Sequence, residues 1–153
     1  RSTPKPSSAA SDVYKRQLKD IDSSVDEKKI KVFSGGPVNQ DNLFFIHNEP
    51  EIIKNSKFCY DNLCFGGNYD ELIKMINEKV FDWKNKVKFF SGYSGWTIEQ
   101  LNDEINEGSW IIDTKKNVNV FENNVKCLWK NKIKKSNPEF KIWLNAPNDP
   151  QDN

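Results

Sequence analysis

The stretch that most constrains the fold is residues 90–101, FSGYSGWTIEQL, because it joins a predicted strand to a predicted helix through a turn with two glycines. The four residues before it, KVKF, alternate polar and apolar side chains, which is typical of a half-buried strand. Thr97 and Gln100 have the spacing of a capping box, in which each side chain accepts a hydrogen bond from the backbone N–H of the other residue. We therefore expect Tyr93 and Trp96 to be held where a strand meets a helix, a place suited to binding.

The remaining sequence predicts short strands that alternate with helices. The helix that starts at Thr97 is expected to carry Leu101 and Ile105 on one face and to end at Gly108. A second helix is expected to begin at Asn68, with four apolar residues on its buried face, Leu72, Ile73, Ile76 and Val80. Further predicted elements are strands at residues 29–33, 43–46, 110–112 and 140–143, a hairpin at 58–65 and a helix at 121–133.

Charge and hydropathy argue against two classes of protein. The 153 residues carry a net charge of +1, whereas a dedicated nucleic-acid-binding domain normally has a strong positive excess. Residues 120–141 alone carry +4, which we interpret as lysines on the solvated face of a C-terminal helix. The sequence has no run of about 18 apolar residues. We expect neither specific nucleic-acid binding by this domain alone nor membrane insertion.

The cysteines predict free thiols and no metal site. They number three, an odd count, and no signal peptide is recognisable, which favours a reducing compartment. A turn at Asp61-Asn62 would place Cys59 and Cys64 on the two strands of one hairpin. Zinc would need two more ligands nearby, and only His47 and the distant Cys127 remain. We predict no metal and no cofactor, and the cysteine spacing is not that of a redox pair.

The sequence contains few of the residue combinations that are typical of catalytic sites. His47 is the single histidine and follows an apolar run, and no serine or cysteine has the sequence context of a nucleophile paired with it, so a structural role is favoured. Ser94 lacks the glycine spacing of a nucleophile elbow. The glycine turns at residues 35–36 and 92–95 offer backbone N–H groups to an anion, but neither carries the lysine of a phosphate-binding loop. We predict no catalytic residue.

Together with the earlier GGPV element at residues 35–38, the stretch at 90–101 resembles the AlgH/YqgE family, whose biochemical role is unsettled. The resemblance covers roughly residues 30–153 and keeps the family's order, with FIH at 45–47 and LW at 128–129. It departs where the family has Pro-Gly before the glutamine, since Ile98-Glu99 stand here. The resemblance implies an α+β domain with a bent, mostly antiparallel sheet, a pseudo-barrel, and packed helices.

For function, a surface of glycines and aromatic residues without acid–base residues favours a non-enzymatic regulatory or binding domain. The family that the chain resembles is named as a regulator of transcription. The partner would be a small ligand or a protein, and the location the bacterial cytoplasm or a plastid stroma. The alternative is a hydrolase or phosphate-ester enzyme that uses His47 with the backbone donors of the glycine turns. The predicted ligand-binding residues are Gly35, Gly36, Pro37, His47, Tyr93, Gly95, Trp96 and Gln100.

The N-terminal residues predict a truncated family member. Residues 1–17 are rich in Ser, Ala and Pro and end in DVYKRQ, which looks like translated library adaptor; a transit peptide is disfavoured by the short length and by Asp12. We expect residues 1–28 to be non-native or disordered, 29–145 to be a partial AlgH-like domain and 146–153 a polar tail. The segments of types FLIAMP and GAMGLIIN with which family members begin are absent, so an unpaired sheet edge and poor stability are expected.

Overall fold

The computed structural model describes residues 14–27, 29–110, 112, 120–121 and 133–135. Within these residues, no helix is long and apolar enough to cross a membrane. The elements follow in the order β1 (Tyr14–Gln17), α1 (Leu18–Ile21), β2 (Lys31–Ser34), β3 (Val38–His47), β4 (Lys57–Tyr60), β5 (Leu63–Phe65), α2 (Tyr69–Asn77), β6 (Val87–Tyr93) and α3 (Ile98–Asn106).

The described strands form one six-stranded sheet in the order β1-β2-β6-β3-β5-β4. Only β2 and β6 are parallel, and all other neighbours are antiparallel. The expected α+β class with a mostly antiparallel sheet is therefore confirmed. The two central strands, β3 and β6, pair from Val38 opposite Tyr93 at one end to His47 opposite Val87 at the other.

The main core lies on one face of this sheet. Because side chains alternate along a strand, Phe45 and Phe89 point to the same face and are almost fully buried. Leu72, Ile73 and Ile76 of α2 belong to the same buried cluster. The opposite face carries a row of rings, in which Phe33 contacts Phe90 and Phe44 contacts Phe65, with centroids 6.2 and 6.0 Å apart.

The segment at residues 14–27 is structured, which corrects the expectation of disorder over residues 1–28. β1 pairs with β2, and α1 follows directly. Leu18 and Val25 are fully buried in the core, so two apolar side chains anchor a segment whose composition is polar. Residues 1–13 and the expected tail at 146–153 lie outside the described residues. The non-native origin of residues 1–17 stays a prediction.

The helix predicted to begin at Asn68 is α2, but it is shorter than expected. The Asn68 side chain accepts a hydrogen bond from the Glu71 backbone N–H at 3.3 Å, as predicted for the cap. Val80 does not share the buried face, because the helix ends at Asn77 and Lys79 has a positive φ of 58°. Val80 is 71% exposed as a result.

The predicted hairpin is present as β4 and β5. Asp61 and Asn62 both have positive φ, 45° and 67°, which is the backbone shape of the tight turns that match the twist of paired strands. The predicted strands at 110–112 and 140–143 and the predicted helix at 121–133 lie largely outside the described residues. Phe121 and Ile133 are described, and both are buried.

Candidate binding surface

The predicted strand-to-helix junction is present between β6 and α3. The Gln100 backbone N–H donates to Thr97 Oγ1 and the Thr97 backbone N–H donates to Gln100 Oε1, both at 3.1 Å. These two bonds are the predicted capping box and satisfy two donors of the first helical turn. The Gln100 amide oxygen therefore accepts a hydrogen bond that caps α3, although the sequence suggested Gln100 as a ligand contact.

The two glycine turns pack against each other. A Cβ on Gly35 would lie less than 3.0 Å from the Gly92 carbonyl oxygen, and one on Gly36 would come equally close to the Ser94 hydroxyl. The Gly35 N–H already donates to the Ser91 carbonyl at 2.9 Å. Close approach of two backbones accounts for these glycines, and the Gly35 N–H is not free for an anion.

Trp96 is positioned beside α3 by a ring contact and a hydrogen bond. Its ring packs edge-on against Trp110, with centroids 5.2 Å apart and planes at 76°. Glu104 Oε2 accepts a hydrogen bond from Trp96 Nε1 at 3.1 Å and from Trp110 Nε1 at 2.7 Å. The Trp96 side chain is still 38% exposed. A fixed, partly exposed aromatic ring can contact a partner at a small cost in conformational entropy.

α3 has no buried side chain, although its sequence is amphipathic. Ile98 is 78% exposed, and Leu101 one turn later is also exposed. At the start of the junction, Val38 and its strand partner Tyr93 are exposed as well. We call the side chains of Val38, Tyr93, Trp96, Ile98 and Leu101 the turn–helix surface. Several large apolar side chains exposed at one junction are typical of an interaction site.

The charge around this surface is negative. Residues 92–110 contain four carboxylates and no lysine or arginine. The last turn of α3 has no basic residue, although cations are favoured at the negative end of a helix dipole. Hydrogen bonds from its own backbone N–H and from the Thr97 hydroxyl lower the pKa of Glu99, so this carboxylate is ionised at neutral pH. The turn–helix surface is thus apolar with an acidic border.

His47 lies away from this surface, at the opposite end of the β3–β6 pair. The Glu49 backbone N–H donates to His47 Nδ1 at 3.1 Å, so the ring proton is on Nε2, which donates to the Gly66 carbonyl at 3.0 Å. Burial lowers the pKa of His47 and favours the neutral ring. Both nitrogens have backbone partners, which favours a structural role, and His47 is separated from the glycine turns.

The structure thus brings together part of the predicted site. Gly35 and Gly36 pack on the turn that follows Tyr93, and Gly95 lies against the Tyr93 ring. Sequence reasoning missed Glu104, which fixes both indoles, because no local pattern links it to Trp96 eight residues earlier. Ligand binding by these residues stays a prediction. Among the described residues, no three His, Cys, Asp or Glu side chains are grouped to hold a metal.

The amino-acid sequence is similar to a known protein family and to several bacterial proteins. The profile of a family described as AlgH-like matches residues 8–141. A UPF0301 protein of Cytophaga hutchinsonii is 37% identical over 121 residues, which are 78% of this chain and 66% of that protein. A UPF0301 protein of Parabacteroides distasonis is 37% identical over 124 residues, 80% of this chain and 62% of that protein. The chain therefore spans less than two thirds of the length of these relatives.

Solved structures give the same fold. A crystal structure of a Corynebacterium diphtheriae protein matches with a TM-score of 0.61 and 13% identity, over 89% of this chain and 73% of the other. The solution structure of AlgH from Pseudomonas aeruginosa matches with a TM-score of 0.55 and 19% identity, over 86% of this chain and 70% of the other. At these identities the likeness shows the fold alone. The resemblance predicted from the glycine motifs is confirmed by the family match.

Proposed function

The chain belongs to the AlgH-like family, and we propose that it is a non-enzymatic domain that binds a protein partner through its turn–helix surface. One observation carries the proposal. Ile98, Leu101 and Ile105 recur at the spacing of a helix face, yet no side chain of α3 is buried. Most helices in proteins are stabilised by burying such a face, so contact with a partner accounts for these apolar side chains.

The chemistry of the surface favours a basic, apolar partner segment. Trp96 and Tyr93 are the residue types that dominate binding energy at protein interfaces. The four carboxylates in residues 92–110 complement lysine and arginine, and they would repel the phosphates of a nucleic acid. Any effect on transcription would then pass through the protein partner rather than through contact with DNA.

An enzyme built on His47 and the glycine turns has less support. His47 has backbone partners on both ring nitrogens and lies at the far end of the central strands. The proposal therefore concerns binding by this domain alone, because the chain spans less than two thirds of the length of the relatives it matches. For location, the bacterial relatives favour a bacterial cytoplasm, with a plastid stroma as the alternative.

A pair of alanine substitutions in α3 tests the proposal. Ile98→Ala with Leu101→Ala removes two exposed apolar side chains but keeps every charge, and alanine keeps the helix. The probe is a synthetic amphipathic helix of lysine and leucine, about 18 residues long. We expect the double variant to bind it at least about ten-fold more weakly than the unaltered chain, a loss of about 1.4 kcal/mol.

The controls separate surface recognition from simple charge attraction. Val80→Ala removes an equally exposed apolar side chain beyond the end of α2 and should leave the affinity unchanged. A peptide of glutamate and leucine with the same pattern should not bind. If the double variant and the Val80 variant bind the lysine peptide equally well, attraction to carboxylates alone explains the interaction and the proposed apolar surface is refuted.

A further inference from the structure

A groove lies between the end of α1, the middle of β3 and the start of α2. This groove has a volume of about 540 Å³, which falls in the range of small-molecule sites. Its walls are largely apolar, and its polar end is formed by Asp22 and Tyr69. It shares no lining residue with the turn–helix surface. The side chains that line it include Ile21, Asp22, Leu43, Phe44, Phe65 and Tyr69.

Asp22 gives the groove a negative charge. Its Oδ1 accepts hydrogen bonds from the Ser24 backbone N–H at 2.9 Å and the Ser24 hydroxyl at 2.7 Å, and its Oδ2 accepts one from the Tyr69 hydroxyl at 2.7 Å. The bond from the Ser24 side chain, and next that from Tyr69, lower the pKa of Asp22. No lysine or arginine in the described residues pairs with this carboxylate. Among the described residues, the hydrogen-bond partners of this carboxylate are neutral donors.

Aromatic rings line the same groove as Asp22. Phe44 and Phe65 are stacked with centroids 6.0 Å apart and planes at 27°, and the Tyr69 ring lies 6.3 Å from that of Phe45. Phe65 and Ile21 are both more than one third exposed, so the apolar wall is open to a ligand. Aromatic faces attract cations through their quadrupole, most strongly where water is excluded.

We propose that this groove binds a small organic cation, with its ammonium group at Asp22 and an alkyl or aromatic body against Ile21, Phe44 and Phe65. The carboxylate complements the positive charge and would repel an anion. A neutral apolar molecule would cover the wall but would leave the carboxylate without a counter-charge. The volume suits one ligand of this kind.

Matched ligands test the charge requirement on the unaltered chain. The probes are phenethyltrimethylammonium, the neutral 2-methyl-4-phenylbutan-2-ol, which has nearly the same shape, and phenylpropionate. Each is titrated into the chain while amide signals are followed by NMR. We expect the ammonium to bind with shifts at Asp22, Phe44, Phe65 and Tyr69, at least about ten-fold more tightly than the neutral compound. Phenylpropionate should not bind.

Two variants test the residue that carries the charge. Asp22→Asn should weaken ammonium binding about ten-fold or more, whereas Ser24→Ala, which loses a hydrogen bond to the same carboxylate but keeps its charge, should still bind. If Asp22→Asn does not fold, the comparison of the three ligands on the unaltered chain still tests whether the groove requires a positive charge. Equal binding of cation and neutral compound, no binding at millimolar cation, or shifts confined to other residues would overturn the proposal.

Discussion

Gly36 is a position where only glycine fits. Its φ of 150° is rarely adopted by other residues, and the nearby Ser94 hydroxyl leaves no room for a side chain. In the sequence, paired glycines equally suggest a turn that offers N–H groups to an anion. Both uses require a residue without a Cβ, so the pattern alone could not separate them. The structure resolves the choice at Gly35, whose N–H is already bonded to Ser91.

His47 gives the residue-scale prediction, since it is the single histidine of the chain. Burial lowers its pKa in the folded state, whereas an unfolded chain keeps a value of about 6.5. The unfolded state therefore binds a proton first, and the contribution of His47 to stability is present above about pH 6.5 and is lost as pH falls through the folded pKa.

NMR titration of the one imidazole measures this pKa directly. We expect a midpoint below 6.5, together with a free energy of unfolding that decreases from about pH 6.5 downward. His47→Gln serves as the control, because it cannot titrate and should flatten that decrease. A midpoint at or above 6.5 would contradict the buried, neutral ring with two backbone partners.

At the scale of elements, α2 and α3 have similar amphipathic patterns, but only α2 is packed in the core. Both are nine-residue amphipathic helices with a polar cap at the start. An amphipathic pattern predicts one buried face, and this holds for α2, whose Leu72, Ile73 and Ile76 are buried. It fails for α3, because burial depends on what the chain folds over the helix. Local sequence therefore predicted the caps of both helices but not the exposure of α3.

Removing each cap should give different results in the two helices. Thr97→Ala deletes the acceptor for the Gln100 N–H, at a cost of about 0.5–2 kcal/mol. Because α3 buries no side chain, we expect faster amide hydrogen exchange within residues 98–106 and little change in Tm. Asn68→Ala deletes the matching acceptor in α2, which packs in the core, and should lower Tm. Equal losses of Tm in the two variants would show that α3 is part of the cooperative core.

At the scale of the whole molecule, features that depend on local pattern were predicted from the sequence, whereas features that depend on contacts between distant residues were not. Alternating and apolar runs located the central strands, and the glycine motifs located the junction of β6 with α3. Residues 18–28 were expected to lack structure because they are charged and contain few apolar residues, yet Leu18 and Val25 are buried. The groove at Asp22 was not predicted either, because it joins residues 47 positions apart, Asp22 and Tyr69.

Binding of a partner at the turn–helix surface can be measured directly by mapping the NMR chemical shifts that the partner changes. Backbone amides and tryptophan indoles of the chain are followed while the lysine–leucine peptide is added. If the turn–helix surface is the binding site, the largest shifts lie in residues 93–105 and at the Trp96 indole, and added salt weakens the binding. Shifts spread over the sheet, or an unchanged Trp96 indole while the peptide binds, would contradict it.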